Sequence, residues 1–188
     1  MKNKIRFLFV LSFALTAMAC SIFVGGPAYP ASPVPVSTGE VGNMQTQVAS
    51  ALTSSADSGV VTMQITESQL TSLVALKMQA MDSPPFTDPQ VTLRDGQMKV
   101  YGKMTRGSFT ANVLITINVG VDTATGLPKI EIASVDFGPL PAPEGLNSAI
   151  SKMVSEAFTG SLGPVATGFR LESIAIADGI MTITGRIK

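Results

Sequence analysis

The chain predicts an α+β fold, a long curved antiparallel sheet of about seven strands wrapping one or two apolar helices. Three observations carry this. Ser108 to Val121 is the longest strand signal, with Phe109, Ala111, Val113, Ile115, Ile117, Val119 and Val121 on one face and Thr110, Asn112, Thr116 and Asn118 on the other. Two alternating runs are folded about Asp95-Gly96 and Asp178-Gly179, dipeptides that supply the positive φ angles of a two-residue hairpin turn. Thr66-Glu67-Ser68-Gln69 is a capping box, and a helix-spaced apolar run follows it.

The elements follow in order along the chain. Lys2, Lys4 and Arg6 precede the apolar run Phe7 to Leu15, and Ala17-Met18-Ala19 ends at Cys20, the single cysteine. This is the plan of a secretory signal over residues 1–19. A lone Cys directly after the cut resembles a bacterial lipobox, in which the thiol receives diacylglycerol. Two other readings stay open: ordinary A-x-A cleavage with free secretion, and an uncleaved anchor from Phe7 to Val24, 18 residues without a charge. Lipoprotein and anchor both place the domain on the extracytoplasmic face of the cell membrane, basic end inside.

Residues 20–58 read as a lipid-anchored, Pro/Ser-rich linker with a weak helix. Pro27, Pro30, Pro33 and Pro35 exclude helix and central strand from Gly25 to Glu40. Extended at about 3.1 Å per residue, that stretch would be a spacer of roughly 50 Å lifting the domain off the lipid. The weak helix is Val41 to Ala56, with Val41, Met44, Val48, Ala51 and Leu52 on one stripe.

The α+β domain is expected over 59–188. Val60 to Ile65 alternates as a short strand, and the capped helix runs to about Met81, ended by Pro84-Pro85. Its apolar residues Leu70, Leu73, Val74, Leu76, Met78 and Met81 cover more than one stripe, which predicts cover on two sides. In the hairpin from Val91 to Met104 the turn sets Leu93 opposite Met98 and Val91 opposite Val100. The 14-residue run Ser108 to Val121 would span roughly 45 Å at about 3.3 Å per residue and must twist. Leu127 to Phe137 returns, and the slip of its apolar set from Ile130 and Ile132 to Val135 and Phe137 predicts a bulge near Ala133-Ser134.

A second helix is expected from about Glu144 to Thr159, and a second hairpin from Ile174 to Ile187. That hairpin aligns with the first without a gap, 83 residues on. Strand, helix and hairpin thus occur twice, through an internal duplication or through the chance coincidence of two Asp-Gly hairpins.

Composition excludes several functions. The leader holds three of the 13 Lys and Arg residues and no acid, so the 169 residues after it carry ten basic and 13 acidic side chains, net −3. No basic run exceeds two residues, which argues against nucleic acid as a partner. There is no His, Cys20 is committed to the anchor, and no nucleophile-elbow, phosphate-loop, dinucleotide-binding or calcium-loop string occurs. Asp82 and Asp88 flank Pro84-Pro85 as turn-forming acids rather than a catalytic pair. The expectation is a non-enzyme with no cofactor and no metal. Oligomeric state is not legible.

What remains is apolar surface. Eight methionines lie beyond the leader, flexible side chains that fill cores and also suit variable apolar ligands. The candidate ligand-binding residues are Leu70, Leu73, Met78 and Met81 on the first helix and Leu146, Ile150, Met153 and Phe158 on the second, lining a groove between helix and sheet. The bound partner would be a lipid or other apolar molecule. The competing expectation is an interaction or scaffold module that offers the Thr- and Asn-rich sheet face to a protein or wall polymer.

The passages DPQVTLRDGQMKVYG at Asp88 to Gly102, FGPLPAPEGL at Phe137 to Leu146 and LESIAIADGIMTITGRI at Leu171 to Ile187 resemble the YpmS-like and LmeA-like envelope proteins. The resemblance covers about Val60 to Lys188. It implies a lipid-binding domain with a long sheet rolled around a helix, and its hairpin patterns contain no catalytic residue to carry over.

Overall fold

The computed structural model describes residues 21–54, 59–141, 152 and 169–187. Its elements are β1 (Ile22–Phe23), α1 (Thr38–Ser54), β2 (Val60–Thr66), α2 (Glu67–Gln79), β3 (Thr87–Arg94), β4 (Gln97–Arg106), β5 (Phe109–Asp122), β6 (Leu127–Asp136), β7 (Phe169–Ala177) and β8 (Ile180–Ile187). The fold is α+β, as expected, but the strands form two sheets rather than one. One has the order β1-β5-β4-β3, with β6 also on β5; the other is β2-β8-β7. The larger sheet is mixed, because β1 runs parallel to β5.

The hairpin registers follow from the two Asp-Gly turns. Leu93 pairs with Met98 and Val91 with Val100, and Ile176 and Ile174 pair with Met181 and Ile183. Asp95 and Asp178 take φ of 55° and 51°, and the glycines after them 74° and 82°, the left-handed geometry that such a turn needs. The long strand pairs with both neighbours. Thr116 lies opposite Ser134 and Ile117 opposite Ile132, so Ala133 is the extra residue of the bulge foreseen there.

Helix α2 covers the free edge of β3. The Val91 N–H donates to Thr71 Oγ1 at 2.9 Å and the Leu93 N–H to Glu67 Oε1 at 2.7 Å. The second hairpin closes the same corner: Gly179 N–H donates to the Leu93 carbonyl at 3.0 Å, and Glu67 N–H to the Gly179 carbonyl at 3.2 Å. An edge strand that would otherwise offer a row of unpaired groups is thereby capped by side chains and a turn. The capping box of α2 forms as read, Gln69 N–H on Thr66 Oγ1 and Thr66 N–H on Gln69 Oε1.

The core lies between the two sheets and the two helices. Val61, Met63 and Ile65 of β2, Val113, Ile115 and Ile117 of β5, and Met181 and Ile183 of β8 are all buried. Helix α1 adds Met44 and Val48, two members of its expected stripe. Helix α2 is covered on two sides, and its buried polar residues are the reason a simple stripe misdescribes it. Thr71 faces β3, Ser72 Oγ accepts from Ser37 N–H, and Gln69 reaches Gln47 of α1 at 3.1 Å.

The spacer expectation needs correcting. Gly25 to Ser37 does not stand off the domain; it is strapped along it. The Ile22 N–H donates to Ser108 O at 2.7 Å, Val24 N–H to Thr110 O at 2.9 Å, and Asn112 N–H to Gly25 O at 2.9 Å. A Pro-rich extended segment has no internal hydrogen bonds, so its sequence is the same whether it is solvated or docked. The expected helix at Glu144 to Thr159 cannot be compared, since only Lys152 of it is among the described residues.

Candidate functional site

The strap, the C-terminal half of α2 and the stretch from Pro84 to Gln90 enclose a cleft of about 470 Å³. Its walls include Val36 from the strap, Ala75 and Met78 from α2, and Pro84 and Phe86. Lys103, Asp88 and Tyr29 stand at its polar rim. This volume falls in the range of small-molecule sites, which are apolar with a few placed polar groups.

The strap is fixed by side chains that substitute for strand pairing. Gln90 is buried, and its amide makes two bonds to Val34, accepting from the N–H at 2.6 Å and donating to the carbonyl at 3.1 Å. Asn112 Nδ2 donates to Pro27 O at 3.0 Å. The Tyr29 hydroxyl donates to the Asp88 carbonyl. Lys103 Nζ lies 2.9 Å from Asp88 Oδ2 and 5.6 Å from the centre of the Tyr29 ring, while Tyr101 meets that ring edge-on at 6.2 Å. Burial, and then the Asp88 charge, push the Tyr29 hydroxyl up to about 12. Both disfavour a phenolate there.

Close backbone approach explains Gly26 of the strap and Gly138 beside it. A Cβ on Gly26, whose φ is +116°, would lie 2.4 Å from the Asn112 carbonyl oxygen, and one on Gly138 would lie 2.5 Å from the Gly26 Cα. On the other side of the cleft, a Cβ on Gly102 would lie 2.2 Å from the Phe86 ring, so this glycine makes the space in which Phe86 packs.

Of the residues expected to bind ligand, Met78 lines the cleft, and it does so from the core. Leu70 and Leu73 are buried among core side chains, and Met81 is half-buried. Leu146, Ile150, Met153 and Phe158 lie outside the described residues. The methionines are mostly core filling: Met44, Met63, Met78, Met98, Met104 and Met181 are all buried. Tyr29, Val36, Gln90 and Lys103 were not legible as neighbours. The lone tyrosine among the prolines, just after Gly25-Gly26, is the signal that could have marked a docked strap.

A second groove of about 410 Å³ lies between α1 and β2, lined by Thr46, Gln47, Ala51, Thr62, Met63 and Gln64. The Thr- and Asn-rich face of β5 is partly used within the chain: Asn112 holds the strap, Thr116 is buried, and Asn118 accepts from Gln97. Among the described residues, no three His, Cys, Asp or Glu side chains converge on a point that could hold a metal. Asp88 has φ of 50° and spends its carboxylate on Lys103.

No family model matches the chain, and no curated protein or solved structure matches it. The functional reading rests on the residues and their geometry.

Proposed function

We propose that this is an extracytoplasmic, membrane-anchored lipoprotein whose domain binds a lipid or other apolar ligand. The observation that carries the reading is the cleft beside α2, with Val36, Met78 and Phe86 in its wall and Lys103 at its rim. An acyl chain would lie along the apolar wall, with its polar end at the Lys103–Asp88 pair of the rim. Strand β1 supports the anchor being a lipid. Phe23 and Ile22 pair with β5, which leaves 15 uncharged residues, Phe7 to Ser21, for a spanning helix that needs about 20. The duplication of strand, helix and hairpin is proposed on the gapless alignment of the two hairpin sequences.

The test is native mass spectrometry of gently purified protein, followed by uptake of a fluorescent fatty acid after delipidation. Co-purifying lipid and saturable uptake are expected. Val36 is 42 % exposed, so Val36→Asp leaves the core untouched while placing a charge in the apolar wall. It should weaken uptake at least tenfold, about 1.4 kcal/mol. Absence of both lipid and uptake would sink the reading in favour of the interaction module.

A further inference from the structure

Three large apolar side chains remain exposed at one end of the larger sheet: Ile22 at 55 %, Phe23 at 59 % and Phe109 at 47 %. They are neighbours, because Ile22 pairs with Phe109 and Phe23 with Thr110 across the β1–β5 ladder. Side chains alternate between faces along a strand, so Ile22 and Phe109 lie on one face of the sheet and Phe23 on the other. Packing against one face cannot cover all three. Insertion of the sheet end into an apolar medium would.

We propose that this end, β1 with the β4–β5 turn, is a membrane-docking rim whose occupant is the bilayer that holds the acylated Cys20. The proposal rests on the lipoprotein reading. Ile22 is two positions after Cys20, and an extended chain reaches about 3.5 Å per residue, so an acyl group on Cys20 holds Ile22 within about 7 Å of the interface. The strap removes the alternative of a long tether, since it turns back along the domain instead of spacing it from the lipid. Charge agrees with position. The stretch Lys103 to Thr110 carries Lys103 and Arg106 and no acid. Lys103 is paired with Asp88, and Arg106, at the turn, is exposed and donates to Pro141 O at 3.5 Å. A cation beside an exposed apolar rim suits the boundary between phosphate headgroups and acyl chains. Lys103 lies three residues from Arg106 along β4, about 10 Å, so the mouth of the cleft opens close to the same bilayer.

The experiment uses the full chain with its own leader, purified from membranes and reconstituted in vesicles of phosphatidylcholine and phosphatidylglycerol with brominated acyl chains. Ser108→Cys places a fluorophore in the β4–β5 turn, and Thr123→Cys places one in the β5–β6 turn, at the far end of the 14-residue β5. Intact mass reports acylation of Cys20 in each preparation. Acylated protein with quenching at 108 several-fold above that at 123, and reduced by Phe23→Ser with Phe109→Ser, supports the rim. Acylated protein with equal quenching at the two sites overturns the rim and leaves the lipoprotein standing. Shielding of 108 from aqueous iodide without bromine quenching means a second copy covers the rim, and also overturns it. Unacylated Cys20 removes the premise, and with it both proposals.

Discussion

At the scale of single residues, the most specific chemistry is that of Tyr29. A hydroxyl pushed up to about 12 by burial and by Asp88 keeps its proton in the folded chain after an unfolded tyrosine, near 10, has lost its own. The folded state then binds more protons than the unfolded one, so stability is fully present below pH 10 and falls as pH rises from there to about 12. Absorbance at 295 nm should show one of the two tyrosines titrating near pH 12, and Tyr29→Phe should abolish that late component. Titration of both tyrosines near 10 would refute the docked position of the ring. Asp122 shows a milder, exposed case. The backbone N–H groups of Thr125 and Ala124, at 3.2 and 2.9 Å, hold its carboxyl below the usual range and fix the β5–β6 turn.

At the scale of elements, local patterns determine the strands and one helix well, because each is encoded by contiguous residues. The Asp-Gly turns set both hairpin registers, and the shift of apolar residues between Ile132 and Val135 located the bulge. What contiguous patterns do not encode is pairing between distant segments. Two residues, Ile22 and Phe23, are too few to read as a strand, and they become one only because Ser108 and Thr110 offer carbonyls. The cleft was legible only in Met78, since its other wall is a segment whose composition looks like solvated linker. The helix–edge contact was hidden for a related reason: Glu67 reads as a first-turn acid, which suits the helix dipole, yet it also terminates β3. Glu67→Ala should leave the Leu93 N–H and the Arg94 guanidinium without that acceptor, which lies 2.7 and 2.6 Å from them. A loss of about 1 to 3 kcal/mol in urea unfolding is expected, with faster hydrogen exchange at Leu93. Glu67→Gln, which keeps an acceptor oxygen, should lose less.

At the scale of the whole molecule, the strap joins two parts that sequence reading separated from it: the helix pair and the larger sheet. Gly26→Val tests this without touching the core. Its branched side chain meets the Asn112 carbonyl, at a φ that β-branched residues avoid. The strap should detach at that end, giving much faster proteolysis between residues 24 and 37, while amides of β5 and β8 stay protected from exchange. Unchanged proteolysis would mean that the strap is held elsewhere.

The pairing of β1 with β5 also orders events in time. Ile22 must find Phe109, 87 residues later in the chain, so β1 has no partner until well over half of the protein has been made. During synthesis from the N-terminus, Ile22 and Phe23 therefore stay unpaired for the whole of that interval. The lipoprotein proposed above would use that interval for signal cleavage and acyl transfer, before pairing of β1 closes it.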